Sequence, residues 1–551
     1  LAYDLYNQLS VLVVDDFKQM LDAVYKMLDE FGVAKIDLAS SADEAIKYCK
    51  SRTYDVILCD YNLGENKKNG QHLLEILRQS NITKTNTLFV LITAETSKQM
   101  VLATFDFEPD SYLVKPFNSA TLKQRLNKLL VVRSVLLPIN QALIQEDLEQ
   151  AIALCNSHIA EKGKQSSICR KILGECYTRQ QKYDQAEKVY EEAMKRPLDW
   201  AQLGLAQVKI AKGEYDNAIE QLQNLLRNNR YCLKAYDLLV IAYEEKGDSL
   251  KCQYVLQEAA KVCPLSILRQ QKLGEVAEAN QDMNTAADAY LQSIRLGKHS
   301  NNDKAECYLK LGRITAALLI ADNQQAETFA PKALACLTEL TNKFGTDINR
   351  DVKKLLIKAQ LHTGLKQAGL SNESLERAEK AITKGGDDIE LDTQLEWIQT
   401  LSIRGEKSAV KSQLQSLAHK YKEDESALKA IDKLLNEPQN NANKEEIATI
   451  NREGIKLYES GDIQASIRHF HRGTQRYPSH IAIHLNLAQV LMSQLSKNKF
   501  SLNELNLLKH TLKHIEQDAL SVDIYRERYR RLVNNVNEIE RQYLQSESGK
   551  Y

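Results

Sequence analysis

The stretch Val56-Ile57-Leu58-Cys59-Asp60 decides the fold of the N-terminal part of this 551-residue chain. An apolar run this short, ending in a carboxylate, reads as a strand buried on both faces, as in a parallel sheet. Ligands of such sheets gather outside the carboxyl ends of the strands, so Asp60 stands where chemistry can occur. Working outward, Val11-Leu12-Val13-Val14 ends in Asp15 and Asp16, Leu88-Phe89-Val90-Leu91-Ile92 ends in Thr93, and Ser111-Tyr112-Leu113-Val114 ends in Lys115-Pro116. Residues 9–130 alternate strand and helix five times. The helix over 17–31 carries Met20, Val24, Met27 and Leu28 at helical spacing, and the helix over 41–50 opens with Ser41 and Glu44 as a capping box. One sheet edge thus receives three acids, a hydroxyl and an ammonium. Crowded carboxylates repel one another and call for a cation, and oxygen donors of this kind suit Mg²⁺. With Lys115 and Thr93 beside it, such a set would stabilise a phosphoryl group on one carboxylate.

On the Asp15-Asp16 pair, Asp60, Thr93-Ala94, Tyr112 and Lys115-Pro116, residues 9–130 resemble the receiver domain of two-component response regulators. Accidental acids at the strand ends of an unrelated flavodoxin-like domain do not account for five motif positions in order. The resemblance implies a doubly wound, flavodoxin-like α/β domain with Asp60 as phosphoacceptor. It implies Mg²⁺ held by Asp16, Asp60 and the Asn62 carbonyl, with Asp15 acting through water. It implies that Thr93 and Lys115 grip the phosphoryl oxygens and that Tyr112 reports the change. The donor it implies is a sensor histidine kinase or a histidine phosphotransfer protein in bacterial-type signalling. One departure stands out: the loop after the acceptor, 61–70, has no Pro, and its Gly70 comes ten residues after Asp60, two later than usual.

Length and composition bound the rest. A chain of this size is too long for one core. Lys plus Arg equals Asp plus Glu at 73 each, so no large basic footprint for nucleic acid exists at whole-chain level. The longest apolar stretch, over 129–139, is interrupted by Arg133 and Ser134, which argues against a membrane span, and the N-terminus has no apolar signal segment. The ten cysteines are scattered, without a Cys-x-x-Cys pair, the usage of reduced thiols in a cytoplasmic protein.

Beyond residue 139 no strand pattern remains, and a repeat emerges. Leu173-Gly174, Leu205-Ala206, Leu239-Val240 and Leu273-Gly274 are 32, 34 and 34 residues apart. Tyr183, Tyr215, Ser249 and Met283 share these spacings, as do Ala186, Ala218, Cys252 and Ala286, and Tyr190, Leu222, Leu256 and Tyr290. Small residues let two helices approach, the larger columns fill the space between pairs, and the pairs must stack to bury their faces. This segment resembles tetratricopeptide repeats. The expected organisation is a leader (1–8), a receiver domain (9–130), a connecting helix and degenerate repeat (131–166), four repeats (167–300), degenerate helical repeats (301–435), a linker (436–446), further repeats (447–520), and a capping helix and tail (521–551). The helix after Ser119 is expected to run to Pro138. Within the degenerate region helices are expected near 303–320, 326–343, 351–365, 372–383, 390–403 and 407–421.

The repeat resemblance implies a concave face, lined by the first helix of each pair, that binds a protein or peptide. Lys171, Arg179, Trp200, Lys234 and Glu244 are the leading candidates, with Asp237, Glu245, Glu275, Ile168 and Leu268 behind them; a solvated face or inter-repeat core is the competing reading of each. The chaperone-type subfamily grips a terminal carboxylate with Lys and Asn, but here Lys171 is joined by Glu175, which argues against that ligand. His480 with His484, and His510 with His514, sit four apart and could share a metal, although repeat helices explain them without one. The aromatic-basic run 525–531 could touch nucleic acid; a capping helix with a seam of Ile524, Leu532, Val536 and Ile539 is the better account. No Gly-rich phosphate loop or nucleophile triad is found, so no catalytic output is expected. The sequence therefore predicts a cytoplasmic response regulator with Mg²⁺ as cofactor and a helical-repeat output, with a homodimer among the expected partners. The alternatives are a phosphate sink or relay scaffold with unswitched repeats, or a nucleic-acid-binding regulator.

Overall fold

A computed structural model describes all residues except 1–5, 66, 81, 84, 85, 95–108, 196, 197, 422, 423, 433, 435–440, 498–501 and 549–551. The chain divides into two compact units, Leu1–Cys307 and Tyr308–Tyr551. No helix among the described residues is long and apolar enough to cross a membrane.

The first unit begins with an α/β domain: β1 (Ser10–Val14), α1 (Lys18–Glu30), β2 (Lys35–Ala39), α2 (Ala42–Ser51), β3 (Val56–Asp60), α3 (Gly70–Gln79), β4 (Leu88–Thr93), β5 (Ser111–Val114) and α4 (Ser119–Ile144). All pairings are parallel, in the order β2-β1-β3-β4-β5, which is the flavodoxin-like arrangement. Every residue of β3 and β4 is buried, as an apolar run covered on both faces requires. One face packs on Leu21, Val24 and Leu28 of α1 and Leu122, Leu126 and Leu130 of α4. The other packs on Ala42, Ala45 and Cys49 of α2 and Leu73, Leu74 and Leu77 of α3. The helix that the alternation requires between β4 and β5 falls largely on 95–108, outside the described residues. Tyr6, which the sequence placed in a leader, is instead core: it is 1% exposed, packs on Phe31, and its hydroxyl donates to Asn127 Oδ1 at 2.8 Å. Ser41 caps α2 by accepting from Glu44 N, but the Glu44 carboxylate returns to Ser40 N and Oγ, one residue earlier than a capping box would have it.

The expected stop at Pro138 is wrong: α4 runs through it to Ile144. Proline forfeits one backbone bond, and burial of Ile139 and Ala142 against Ala151, Ile152 and Cys155 of the next helix carries the helix onward. Below the proline, Arg133 reaches Asp55 at 2.7 Å; beyond it, Asn140 reaches Asn86 at 3.1 Å. Asp55 precedes β3 and Asn86 precedes β4, so α4 leaves at the sheet edge opposite Asp60.

Helical hairpins follow: α5 (Leu148–Ala160) closes against the end of α4, then come the pairs α6 (Ser166–Arg179) with α7 (Tyr183–Ala193), α8 (Asp199–Ala211) with α9 (Tyr215–Asn228), α10 (Leu233–Glu245) with α11 (Ser249–Val262), and α12 (Ile267–Ala279) with α13 (Met283–Leu296). The columns found in sequence have a steric cause. A Cβ on Gly174 or Gly204 would stand 2.5 or 2.3 Å from the Tyr190 ring, so Tyr190 fills a slot between its own pair and the next. A second column lies in the backbone. Gln181, Gly213, Gly247 and Gln281 all have positive φ, and after each an N–H reaches back to close the helix (Lys182 to Tyr177, Glu214 to Lys209, Asp248 to Tyr243, Asp282 to Ala277).

The second unit repeats the same turn under a changed signature. Asp322, Lys366, Gly405 and Gly461 have positive φ, with the same reach-back from Asn323, Gln367, Glu406 and Asp462. The helices Ala305–Ile320, Ala326–Phe344, Ile348–Gly364, Ala368–Gly385, Leu391–Ile403 and Lys407–Lys420 lie near their expected bounds. Many are longer than those of the first unit, which explains the lost period. The expected linker over 436–446 is corrected in part: 441–446 opens the helix Asn441–Glu459. Asn443 is buried there, bonded to Asp432 Oδ2 at 3.0 Å and to the Tyr477 hydroxyl at 3.3 Å. In the helix Asp523–Ser548 the seam is Tyr529, Leu532 and Val536. Ile524, expected in it, is 83% exposed, one position off the stripe that Tyr525 occupies.

Candidate functional site

Strand register brings the expected residues to one edge. Asp15 follows β1, Asp60 ends β3 opposite Ile92 of β4, and Thr93 pairs with Val114, whose successor is Lys115. Lys115 N donates to the Thr93 carbonyl at 2.8 Å, which fixes the two side by side. Lys115 Nζ then bridges Asp15 Oδ2 at 2.8 Å and Asp60 Oδ2 at 3.1 Å. Asp15 is 2% and Asp60 8% exposed, while Asp16 faces solvent. The other Asp15 oxygen accepts from Phe17 N at 2.9 Å. Thr93 is buried, and Tyr112 is half-buried on the α2/α3 side of the sheet.

The charges are strongly coupled. Burial, aided by the Asp15 charge, pushes the Asp60 carboxyl up to about 6, against the pull of Lys115 and the Tyr61 N–H. Burial disfavours the Lys115 ammonium, but its bonds to Asp15 and Asp60 outweigh that and raise its pKa. Asp60 is thus a carboxylate kept ionised by a neighbouring cation rather than by water.

A metal fits here. Oxygens of Asp15, Asp16 and Asp60 come within 4.8 Å of one another, the one such grouping of three or more ligand residues among the described residues. Hard oxygen donors, with the exposed Asp16 open to hydration water, match Mg²⁺. Asn62 is exposed on the loop after β3, where its Oδ1 accepts from Gly64 N at 3.3 Å. Gly64 has φ 105, a left-handed backbone angle that favours glycine; a Cβ there would make only an ordinary contact, 3.5 Å, with the Asp16 carboxylate.

The repeat candidates divide. Lys171, Trp200, Lys234 and Glu244, with Asp237 and Leu268, line one groove of about 1040 Å³ along α6, α8, α10 and α12. Arg179 does not: it is exposed in the last turn of α6, two turns beyond Lys171 and past the groove. Glu245, Glu275 and Ile168 also lie off it. Groove charges are mostly paired, Arg269 with Asp237 at 2.7 Å and Lys272 with Glu244 at 2.6 Å. The histidine pairs do gather, the His484 and His514 rings lying 5.2 Å apart, but both Nε2 atoms point to the Pro478 carbonyl, at 2.8 and 3.0 Å.

The sequence reading missed Glu75. It is 1% exposed on α3 and accepts from Ser300 Oγ, Asn302 N and Asn302 Nδ2 at 2.6, 2.9 and 2.8 Å. The signal was present as a lone acid inside Leu73-Leu74-Glu75-Ile76-Leu77.

Residues 11–127 match the family described as response regulator receiver domain. Among curated proteins, the chemotaxis protein CheY-3 of Vibrio cholerae serotype O1 is 29% identical over 125 residues, 23% of this chain and 94% of that protein. The transcriptional regulatory protein CiaR of Streptococcus pneumoniae is 34% identical over 122 residues, 22% of this chain and 51% of that protein. Among solved structures, the receiver domain of the Francisella response regulator 1452 is 31% identical and covers 22% of this chain and 97% of its own, with a TM-score of 0.20.

Proposed function

With residues 11–127 a response regulator receiver domain, we propose that Asp60 accepts a phosphoryl group and that the helical hairpins are a tetratricopeptide-type output whose groove binds a protein partner. The observation that carries the first half is the Lys115 bridge between Asp15 and Asp60 at a three-carboxylate edge. An Asp60 carboxylate oxygen attacks phosphorus; the phosphorus–nitrogen bond to the donor's histidine breaks, and the imidazole leaves and takes up a proton. Asp15, Asp16, Asp60 and the Asn62 carbonyl would hold Mg²⁺, which supplies charge neutralisation for the transferred group. Lys115, already at the acceptor, turns to a phosphoryl oxygen, and Thr93 offers its hydroxyl to another. The donor chemistry is a phosphohistidine, on a sensor kinase or a phosphotransfer protein. The chain carries no catalytic output beyond its own phosphorylation and dephosphorylation.

The groove reading rests on its apolar wall, with Ile241 and Leu268 each 42% exposed. Loading purified protein with acetyl phosphate and Mg²⁺, then locating the acid-stable, base-labile phosphate, tests the acceptor. Labelling elsewhere than Asp60 overturns it. The phosphate-sink alternative is distinguished by partner binding that ignores phosphorylation.

A further inference from the structure

Among the described residues, the α/β domain is held by the hairpins at two places, and the second is unexplained by chain connection. The first is α4. The second is the segment 297–303 after α13, which lies on α3. Its centre is the buried Glu75 carboxylate and its donors from Ser300 and Asn302. Gln79 Nε2 adds a bond to Asn302 Oδ1 at 3.0 Å, and the His72 and His299 rings stand 6.1 Å apart, edge to face. Burying a carboxylate is costly unless its oxygens are satisfied, so these bonds tolerate little displacement.

Both ends of this contact lead to a site. At one end α3 begins directly behind the acceptor: a Cβ on Gly70 would stand 2.4 Å from the Asp60 carbonyl oxygen, and Gly70 N donates to the Tyr61 carbonyl at 2.8 Å. Asn69 and His72 close the helix start with reciprocal bonds, so His72 moves with the acceptor loop. At the other end the Asn302 carbonyl accepts from Gln271 Nε2 at 2.7 Å. Gln271 lies on α12, whose Leu268, Arg269 and Lys272 line the groove.

We propose that residues 297–303 form a clasp on α3 that opens when Asp60 is phosphorylated, and that its opening releases α12 and changes the groove. This rests on the acceptor reading above. A phosphoryl group and its cation draw residues 61–65 toward the site; Gly70 has no clearance to absorb that, so α3 shifts and the Glu75 bonds break. A two-state contact of this size needs a bias of only a few kcal/mol.

Amide hydrogen exchange on the full chain, with and without beryllofluoride and Mg²⁺, tests it. The expected result is slower exchange over 61–65 and, in the same sample, exchange over 299–303 faster by about tenfold or more. Glu75→Ala, and Asn302→Ala should Glu75→Ala fail to fold, should show the fast 299–303 exchange without the mimic and no further gain with it. Slowed exchange at 61–65 with 299–303 unchanged overturns the clasp and leaves the acceptor reading standing. No change at either place overturns the acceptor reading, and the clasp with it. Variants that keep slow exchange at 299–303 show that Glu75 does not hold it and also overturn the proposal.

Discussion

Asp60 and Asp16 do different work in the same cluster, and single substitutions separate them. Of these two, Asp60 is the buried one, with Lys115 at 3.1 Å. Asp60→Asn keeps the shape and removes the proposed nucleophile, so labelling by acetyl phosphate should fall to background; undiminished labelling would place the acceptor elsewhere. Asp16 is exposed, with a carboxylate oxygen within 4.8 Å of those of Asp15 and Asp60. Asp16→Ala should weaken Mg²⁺ at least tenfold, about 1.4 kcal/mol, read by titration of tyrosine or tryptophan fluorescence. An unchanged titration would mean that the three carboxylates do not act on one ion. At this scale much of the site was legible, because strand ends are marked by abrupt change from apolar to polar residues. Glu75 was not, because its partners Ser300 and Asn302 are more than 200 residues away and nothing local pairs them.

Among the elements, the hairpin is the unit, and its packing can be tested at one ring. Tyr190 is 1% exposed between Gly174 and Gly204. Gly204→Val would force the ring out of its slot, and overpacking of this kind costs about 1–3 kcal/mol; thermal unfolding should shift down, whereas Gly213→Ala, at a turn with nothing near its Cβ position, should act only through its positive φ. The histidines of the helices Ile463–Arg476, Ile481–Lys497 and Leu502–Ser521 give a pH test. Burial, reinforced by His514, holds His484 down at about 3, and burial also lowers His471 and His510. A histidine depressed in the folded state refuses a proton that the unfolded chain accepts. The stabilisation is therefore complete above about 6.5 and is lost as pH falls from there toward about 3. His484→Gln should flatten this acid limb; an unchanged limb would show that the cluster is not its source. Helix positions were legible far into the second unit because the apolar period survives there. The hairpin turn was not, since Gln181, Gln281, Asp322 and Lys366 take the left-handed conformation where sequence patterns look for glycine.

Across the whole molecule, the question is whether the proposed acceptor would govern the hairpins or merely store phosphate. Two routes lead from the site. Thr93 and Tyr112 lie on neighbouring strands, and bonding of Thr93 to a phosphoryl group would open space toward which Tyr112 can turn. The other route is α3 with its covering segment. The α4 helix is continuous from the sheet into the first hairpin, so movement at its base is transmitted along a stiff element instead of being absorbed by a loop. A phosphate sink needs none of this. Beryllofluoride with Mg²⁺ should therefore change the sedimentation coefficient or elution volume of the wild type, and should change Thr93→Ala much less. Association into dimers would appear in the same experiment as a concentration-dependent shift. If wild-type sedimentation, association and groove accessibility (read from quenching of Trp200 in a Trp397→Phe background) all ignore a mimic that demonstrably occupies Asp60, the hairpins are a scaffold. The chain is then a phosphate sink held in place by its repeats.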